Sequence, residues 1–147
     1  MKPKSQVEEP SVAYERAYNL SSSQGILQII QSVKNGFQYD FFIRLVEKIP
    51  FTLNEWSHFL HLSERTMQRY KKEEKTFDPI YSERIMEISM LYNYGIEVFG
   101  NNDHFDTWLQ SKNIALGGFI PKELLDTTFG ITLVKDELTR IEHGVLS

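Results

Sequence analysis

A chain of 147 residues with 41% hydrophobic and 13% aromatic residues suits one folded domain, or two small ones sharing a core, and argues against global disorder. The absence of cysteine removes disulfides, thiolate catalysis and Cys-type zinc sites; no apolar run approaches the roughly 18 residues that span a bilayer, the MKPKSQVEEP start lacks a signal-peptide core, and a cytoplasmic address is expected. The net charge of −4 is uneven: residues 1–94 balance 12 Lys/Arg against 12 Asp/Glu, whereas residues 95–147 set 4 against 8, an imbalance that disfavours phosphate backbones and favours a basic partner surface.

Residues 1–23 contain Pro3, Pro10 and Ser21-Ser22-Ser23 and read as a mobile arm, in which Val12, Tyr14 and Tyr18 suit a short strand or a helical turn. Ile26, Ile29, Ile30 and Val33 then form a helix face closed by Asn35-Gly36. Phe41, Leu45 and Ile49 give the next face, with Phe42 and Val46 beside them and Pro50 as the stop. Thr52 to Glu55 is a capping box opening a helix with Leu53, Trp56, Phe59 and Leu60. The turn His61-Leu62-Ser63 follows, and Ser63 caps a basic helix with Met67 and Tyr70 inward. This is the sequence form of a helix-turn-helix, with His61 where the pattern wants Gly. Lys75 to Ser82 is a connector in which Asp78 or Ser82 is the candidate cap. Ile85, Ile88, Tyr92, Ile96 and Phe99 mark a longer helix ending at Gly100.

Three shorter segments complete the chain. Asn102 is read as the N-cap of a helix with Phe105, Trp108 and Leu109 on one face, more fitting for core than for partner contact. After the Leu116-Gly117-Gly118 loop, Pro121 suits the first position of a second helix. Val134, Leu138 and Ile141 line a third, which stops at Gly144. There is no strand alternation and no internal repeat, so the expected fold class is all-α, a helix-turn-helix domain followed by a small helical module.

Few residues carry candidate chemistry. On the basic helix, Glu64, Arg65, Gln68, Arg69 and Lys72 face outward together; Arg suits guanine, Gln adenine and Lys phosphate, although an ordinary solvated face has the same composition. Residues 64–75 carry a net charge of only +2, so one copy would hold DNA weakly and a dimer or larger complex is expected. His58 and His61 at i, i+3 would need a remote third metal ligand among His104, His143, Asp103 and Asp106, and surface and turn roles suit them better. No catalytic signature is present. Asp103 and Asp106 favour a helix start, and no enzyme activity, cofactor or metal is expected.

An ordered set of residues resembles a known family. Val98-Phe99-Gly100, Trp108-Leu109, Asn113, Ala115-Leu116-Gly117-Gly118, Pro121, Leu124-Leu125, Gly130, Val134, Leu138 and Arg140-Ile141-Glu142-x-Gly144-Val145 together resemble the toxin-binding domain of Xre-type antitoxins, the MbcA/ParS antitoxins paired with RES-domain toxins. Two positions depart from the family: Phe105 stands where a small alanine is usual, and His143 where an aromatic is common.

After the mobile arm at 1–23, the resemblance implies an Xre-like helix-turn-helix domain at 24–94 and a toxin-binding domain at 95–147. It further implies neutralisation of an NAD-consuming RES toxin and repression of the shared operon by a dimer or toxin complex on operator DNA. The toxin-binding residues it implies are Gly117, Gly118, Pro121, Arg140, Glu142, His143, Gly144, Val145, Leu146 and Ser147, the last of them covering the toxin's cleft. The competing expectation is a plain helix-turn-helix regulator whose C-terminal module dimerises or senses a ligand. A third, more distant one is an enzyme of unknown type.

Overall fold

The computed structural model describes residues 23–144, and its axis is a helix of 21 residues, Pro79–Phe99. In chain order the helices are α1 Ser23–Asn35, α2 Tyr39–Val46, α3 Leu53–Leu60, α4 Glu64–Glu73, α5 Pro79–Phe99, α6 Asn102–Leu109 and α7 Thr128–Glu142, with 3-10 turns at Ile114–Leu116 and Pro121–Leu124. Helices α1, α2 and α3 pack on α5, and so do α6 and α7. That double load explains the burial of Ser82, Ile85, Met86, Ile88, Ser89, Leu91, Tyr92 and Gly95 around so much of its circumference, since a helix is apolar on several sides only when it is covered on several sides. The described residues are all-α, with one isolated bridge between Gln38 and Thr76. The arm read at 1–23 lies outside the described residues except for Ser23, which opens α1. So do Val12, Tyr14, Tyr18, Val145, Leu146 and Ser147.

The N-terminal half is knitted by aromatic rings. Phe42 meets Trp56 and Phe77 edge-on, both at 5.3 Å between centroids. The helix face of α2 is therefore Tyr39, Phe42 and Val46; of the expected row of Phe41, Leu45 and Ile49, the first two are only half-buried and Ile49, beyond the helix, is buried. The bridge fixes this rotation, because Tyr39 N–H donates to the Lys75 carbonyl (3.0 Å) and Phe77 N–H to that of Phe37 (2.7 Å). Buried Ser82 completes the junction: its hydroxyl accepts from Phe37 N–H (2.9 Å) and donates to the Phe77 carbonyl (3.2 Å). Ser82 is thus no cap; Asp78 holds that position, with Pro79 at N1. Of the expected face of α1 only Ile29 and Val33 pack inward, leaving Ile26 and Ile30 exposed.

The capping box is present as read, with Thr52 and Glu55 each accepting the other's backbone N–H at 3.0 Å. His61 takes the left-handed conformation, φ 56°, and Ser63 caps α4 by accepting from Thr66 N–H at 3.0 Å.

The C-terminal half is built on close approaches. Phe105 is fully buried between Tyr92, Phe99 and Trp108, and a Cβ on Gly95 of α5 would overlap its ring. The bulk at 105 is accommodated by the missing side chain at 95. Likewise a Cβ on Gly130 would overlap the Leu124 carbonyl, so α7 lies directly on the Pro121–Leu124 turn. The cap of α6 is Asn101, one residue before the expected Asn102; its side chain accepts from His104 N–H at 2.8 Å. The helix expected from Pro121 is a single 3-10 turn. Thr127 caps α7, Val134 and Leu138 are fully buried, and Gly144 turns the chain at φ 64°.

Candidate DNA and partner interfaces

Met67 anchors α4 in the core with no exposure, which sends Glu64, Arg65, Gln68, Arg69 and Lys72 to the solvent side. Arg65, Gln68, Arg69 and Lys72 share one face by helical spacing. Glu64 is engaged sideways, accepting from the Asn54 amide at 3.2 Å. The Arg69 guanidinium sits over the Tyr70 ring at 5.9 Å, and the Lys75 ammonium lies equally far from the same ring. The helix therefore offers a fork, an amide and an ammonium on a rigid, capped support, the donor set that reads base edges and phosphates.

In the C-terminal module, Gly117 and Gly118 are exposed at φ 70° and 82°. Asn113 ties their loop: its backbone carbonyl accepts from Leu116 N–H (3.1 Å) and Gly118 N–H (2.8 Å), its side chain accepts from Ala115 N–H (2.9 Å), and its N–H donates to the Phe119 carbonyl (3.0 Å). A Cβ on Gly118 would meet nothing within 4 Å, so glycine is needed there for its backbone angle and not for space. Pro121 differs from the expectation. Its ring is buried at the start of the 3-10 turn, so it shapes the module from inside. Arg140 is exposed and pairs with Glu137 at 3.4 Å. Glu142 accepts from the Tyr94 hydroxyl at 3.1 Å, and burial with this neighbouring carboxylate pushes the Tyr94 hydroxyl above the usual phenol range. His143 and Gly144 are exposed at the end of α7.

Sequence patterning missed a set of exposed apolar side chains in the same module. Ile114 is 97% exposed, Phe129 87%, Phe119 57% and Leu133 50%. Phe129 and Leu133 stand at i, i+4 on α7, off the Ile131, Val134 and Leu138 face. The available signal was that second apolar row, together with Ile114 and Phe119 bracketing the two glycines.

A polar seam joins the two halves. Arg84 of α5 donates from Nη1 to the carbonyls of Phe59 (3.1 Å) and Asp126 (2.7 Å), with Nη2 3.4 Å from the Thr128 hydroxyl. His61 Nε2–H donates to the same Asp126 carbonyl at 2.7 Å, so one oxygen accepts from two side chains on the helix-turn-helix side. Lys122 forms an ion pair with Glu55 and lies 4.9 Å above the Phe51 ring. Burial raises the Glu55 carboxyl, but the hydrogen bonds from Lys122 and Thr52 outweigh it and hold the group below the usual carboxylate range. Glu87, beside Arg84 at 3.9 Å, moves the other way because its burial dominates.

The remaining candidate ligands are dispersed. His61 is committed to Asp126, His104 Nδ1 lies 3.2 Å from the Asn101 amide, and Asp106 accepts from the Tyr92 hydroxyl at 2.8 Å. Among the described residues no three His, Cys, Asp or Glu side chains stand close enough to hold a metal ion. No described helix is long and apolar enough to cross a membrane.

Comparison with known proteins assigns both halves. Residues 28–88 match the family described as the antitoxin Xre-like helix-turn-helix domain, and residues 95–144 match the antitoxin Xre/MbcA/ParS C-terminal toxin-binding domain. Antitoxin Xre of Yersinia enterocolitica is 30% identical over 135 residues, 90% of this chain and 89% of the relative. Antitoxin Xre of Photorhabdus laumondii is 31% identical over 67 residues, 45% of each chain. The fold is similar to a chain in the crystal structure of the M. tuberculosis MbcT-MbcA toxin-antitoxin complex, with a TM-score of 0.57 at 19% identity, covering 72% of this chain and 94% of that one.

Proposed function

The chain belongs to the Xre antitoxin family, and from that premise we propose that it neutralises a cognate RES-type, NAD-consuming toxin and represses its own operon. We divide it at residues 94 and 95, with the DNA-reading half before the boundary and the toxin-binding half after it. The observation that carries the reading is the order of two antitoxin domain matches on one chain, the first bearing an exposed Arg65, Gln68, Arg69 and Lys72 face and the second an acidic module. It acts in the cytoplasm, performs no catalysis and needs no cofactor, since blocking a cleft is a steric task.

In this reading the tail beyond Ile141 obstructs the toxin's active site. A cleft that accepts a negative dinucleotide also suits an acidic peptide ending in a carboxylate. Gly144 supports this by turning the chain at positive φ where α7 ends. Deleting Ile141–Ser147 should leave promoter binding intact while abolishing rescue of cells that express the neighbouring toxin, and toxin NAD consumption should resume in vitro. A truncation with an unchanged circular dichroism melt that protects as well as the full chain would sink the mechanism.

On DNA, a net charge of only +2 along residues 64–75 releases few counterions per copy, so a homodimer or toxin complex binds the operator. Arg69→Ala should cost about 1–3 kcal/mol of specific affinity. Unaltered promoter shifts by an Arg65→Ala/Arg69→Ala variant, with toxin present, would remove α4 from the interface.

A further inference from the structure

We propose that Ile114, Phe119, Phe129 and Leu133 form the surface by which the C-terminal module grips its toxin, a partner whose matching face is apolar and edged with Lys or Arg. The proposal rests on the antitoxin reading and gives it a docking surface apart from the tail. Nine large apolar side chains are exposed among the described residues, and four of them fall between 114 and 133, inside the range matched as a toxin-binding domain. They form two pairs on adjoining elements. Phe129 and Leu133 are neighbours on α7, and α7 packs against the Ile114–Leu116 turn, whose loop carries Phe119.

The support beneath is rigid. Leu116, Ile131 and Val134, which alternate with the exposed side chains in sequence, are buried at 5%, 6% and 0% exposure. The four apolar groups are therefore held outward by packed neighbours, as binding anchors are, and two of them are aromatic, a side-chain class enriched at the centres of interfaces. Charge selects the occupant. Residues 95–147 carry 4 Lys/Arg against 8 Asp/Glu, so joining two copies through this module would set acid against acid, whereas a basic-rimmed toxin gains from the same field.

The test is titration calorimetry of the full chain against a catalytically silent form of the RES-type toxin encoded beside its gene. Ile114→Ser/Phe119→Ser and Phe129→Ser/Leu133→Ser should each weaken binding at least about tenfold, with a cooperative melt retained because Leu116, Ile131 and Val134 beneath them are untouched. Ile26→Ser/Leu27→Ser, on the exposed face of α1, should bind as the parent does. Parent-like affinity in the folded quadruple variant overturns the proposal and leaves the antitoxin reading standing. Conversion of a dimer to a monomer with toxin affinity retained overturns it in favour of a second copy as occupant. If the unmodified chain does not bind that toxin, the antitoxin reading fails and the docking surface fails with it.

Discussion

The two halves of the molecule reach stability by opposite means. The helix-turn-helix half fills its interior with large rings at mutual angles, Phe42, Trp56, Phe59 and Phe77, and turns charged and amide groups outward on α4. The C-terminal half brings elements together where side chains are missing, at Gly95 and Gly130, and leaves the Phe119 and Phe129 rings facing outward. The contrast teaches that burial and function are distributed separately. Among the described residues the half matched as a helix-turn-helix leaves no aromatic ring exposed, whereas the half matched as toxin-binding exposes two.

The largest expected effect breaks the contrast where Gly95 meets Phe105. Phe105→Ala removes a fully buried ring and should cost about 3–5 kcal/mol. Gly95→Ala forces a methyl group into that ring and should cost about 1–3 kcal/mol. In the double variant the methyl has room, so urea unfolding should show a loss smaller than the sum by more than about 1 kcal/mol. Strict additivity would mean that the two positions do not compensate each other.

A smaller effect concerns the seam. Arg84→Met leaves the Phe59 carbonyl without that donor and Asp126 with His61 alone, a loss of about 2–3 kcal/mol. Trp56 lies in the first half and Trp108 in the second, so each half has its own fluorescent reporter in single-tryptophan variants. The parent should melt in one transition at both reporters and Arg84→Met in two. Coincident melting in the variant would show that α5 couples the halves without the guanidinium.

The smallest expected effect is electrostatic. Glu55→Gln keeps a capping-box acceptor but removes the charge facing Lys122, and should cost about 1 kcal/mol at neutral pH for this partly exposed pair. Because the folded state lowers the Glu55 carboxyl, its contribution is fully present above the unfolded value near ~4.3 and disappears as pH falls through the lower folded value. The stability gap between parent and Glu55→Gln should therefore close on acidification. A gap that persists in acid would assign the loss to the cap.

What could be read from sequence followed the range of the interaction. The capping box, the left-handed turn at His61 and the stop at Gly144 depend on residues a few positions apart, and they stand as expected. The Asn101 cap was displaced by one because Asn102 offers the same chemistry. Of the two candidate caps Asp78 holds the position, and the junction role of Ser82 is hidden because its partner Phe37 is 45 residues away. The outward row on α1 and the burial of Pro121 depend on what covers a face, and periodicity reports only that a face exists. For the candidate sites, the α4 set could be read because polar residues on a capped helix have one place to go. Phe129 and Leu133 drew no reading from the sequence, and they are exposed because Ile131 and Val134 take the inner positions. The Val145, Leu146 and Ser147 reading stays with the sequence, outside the described residues.

The Asp126 carbonyl also bears on how such chains are recombined. The residue that presents it lies in one matched domain, while Arg84 and His61, which satisfy it, lie in the other. A breeder of new specificities who exchanges residues 95–144 between relatives imports a peptide oxygen whose hydrogen-bond donors stay behind with the other parent. Compatibility of two parents is then decided by whether the recipient supplies a guanidinium at 84 and a donor at 61, before any question of which toxin is to be met. Selection on the two halves thus meets along one seam, where the Asp126 carbonyl takes its donors from Arg84 and His61 and Lys122 takes its partner from Glu55.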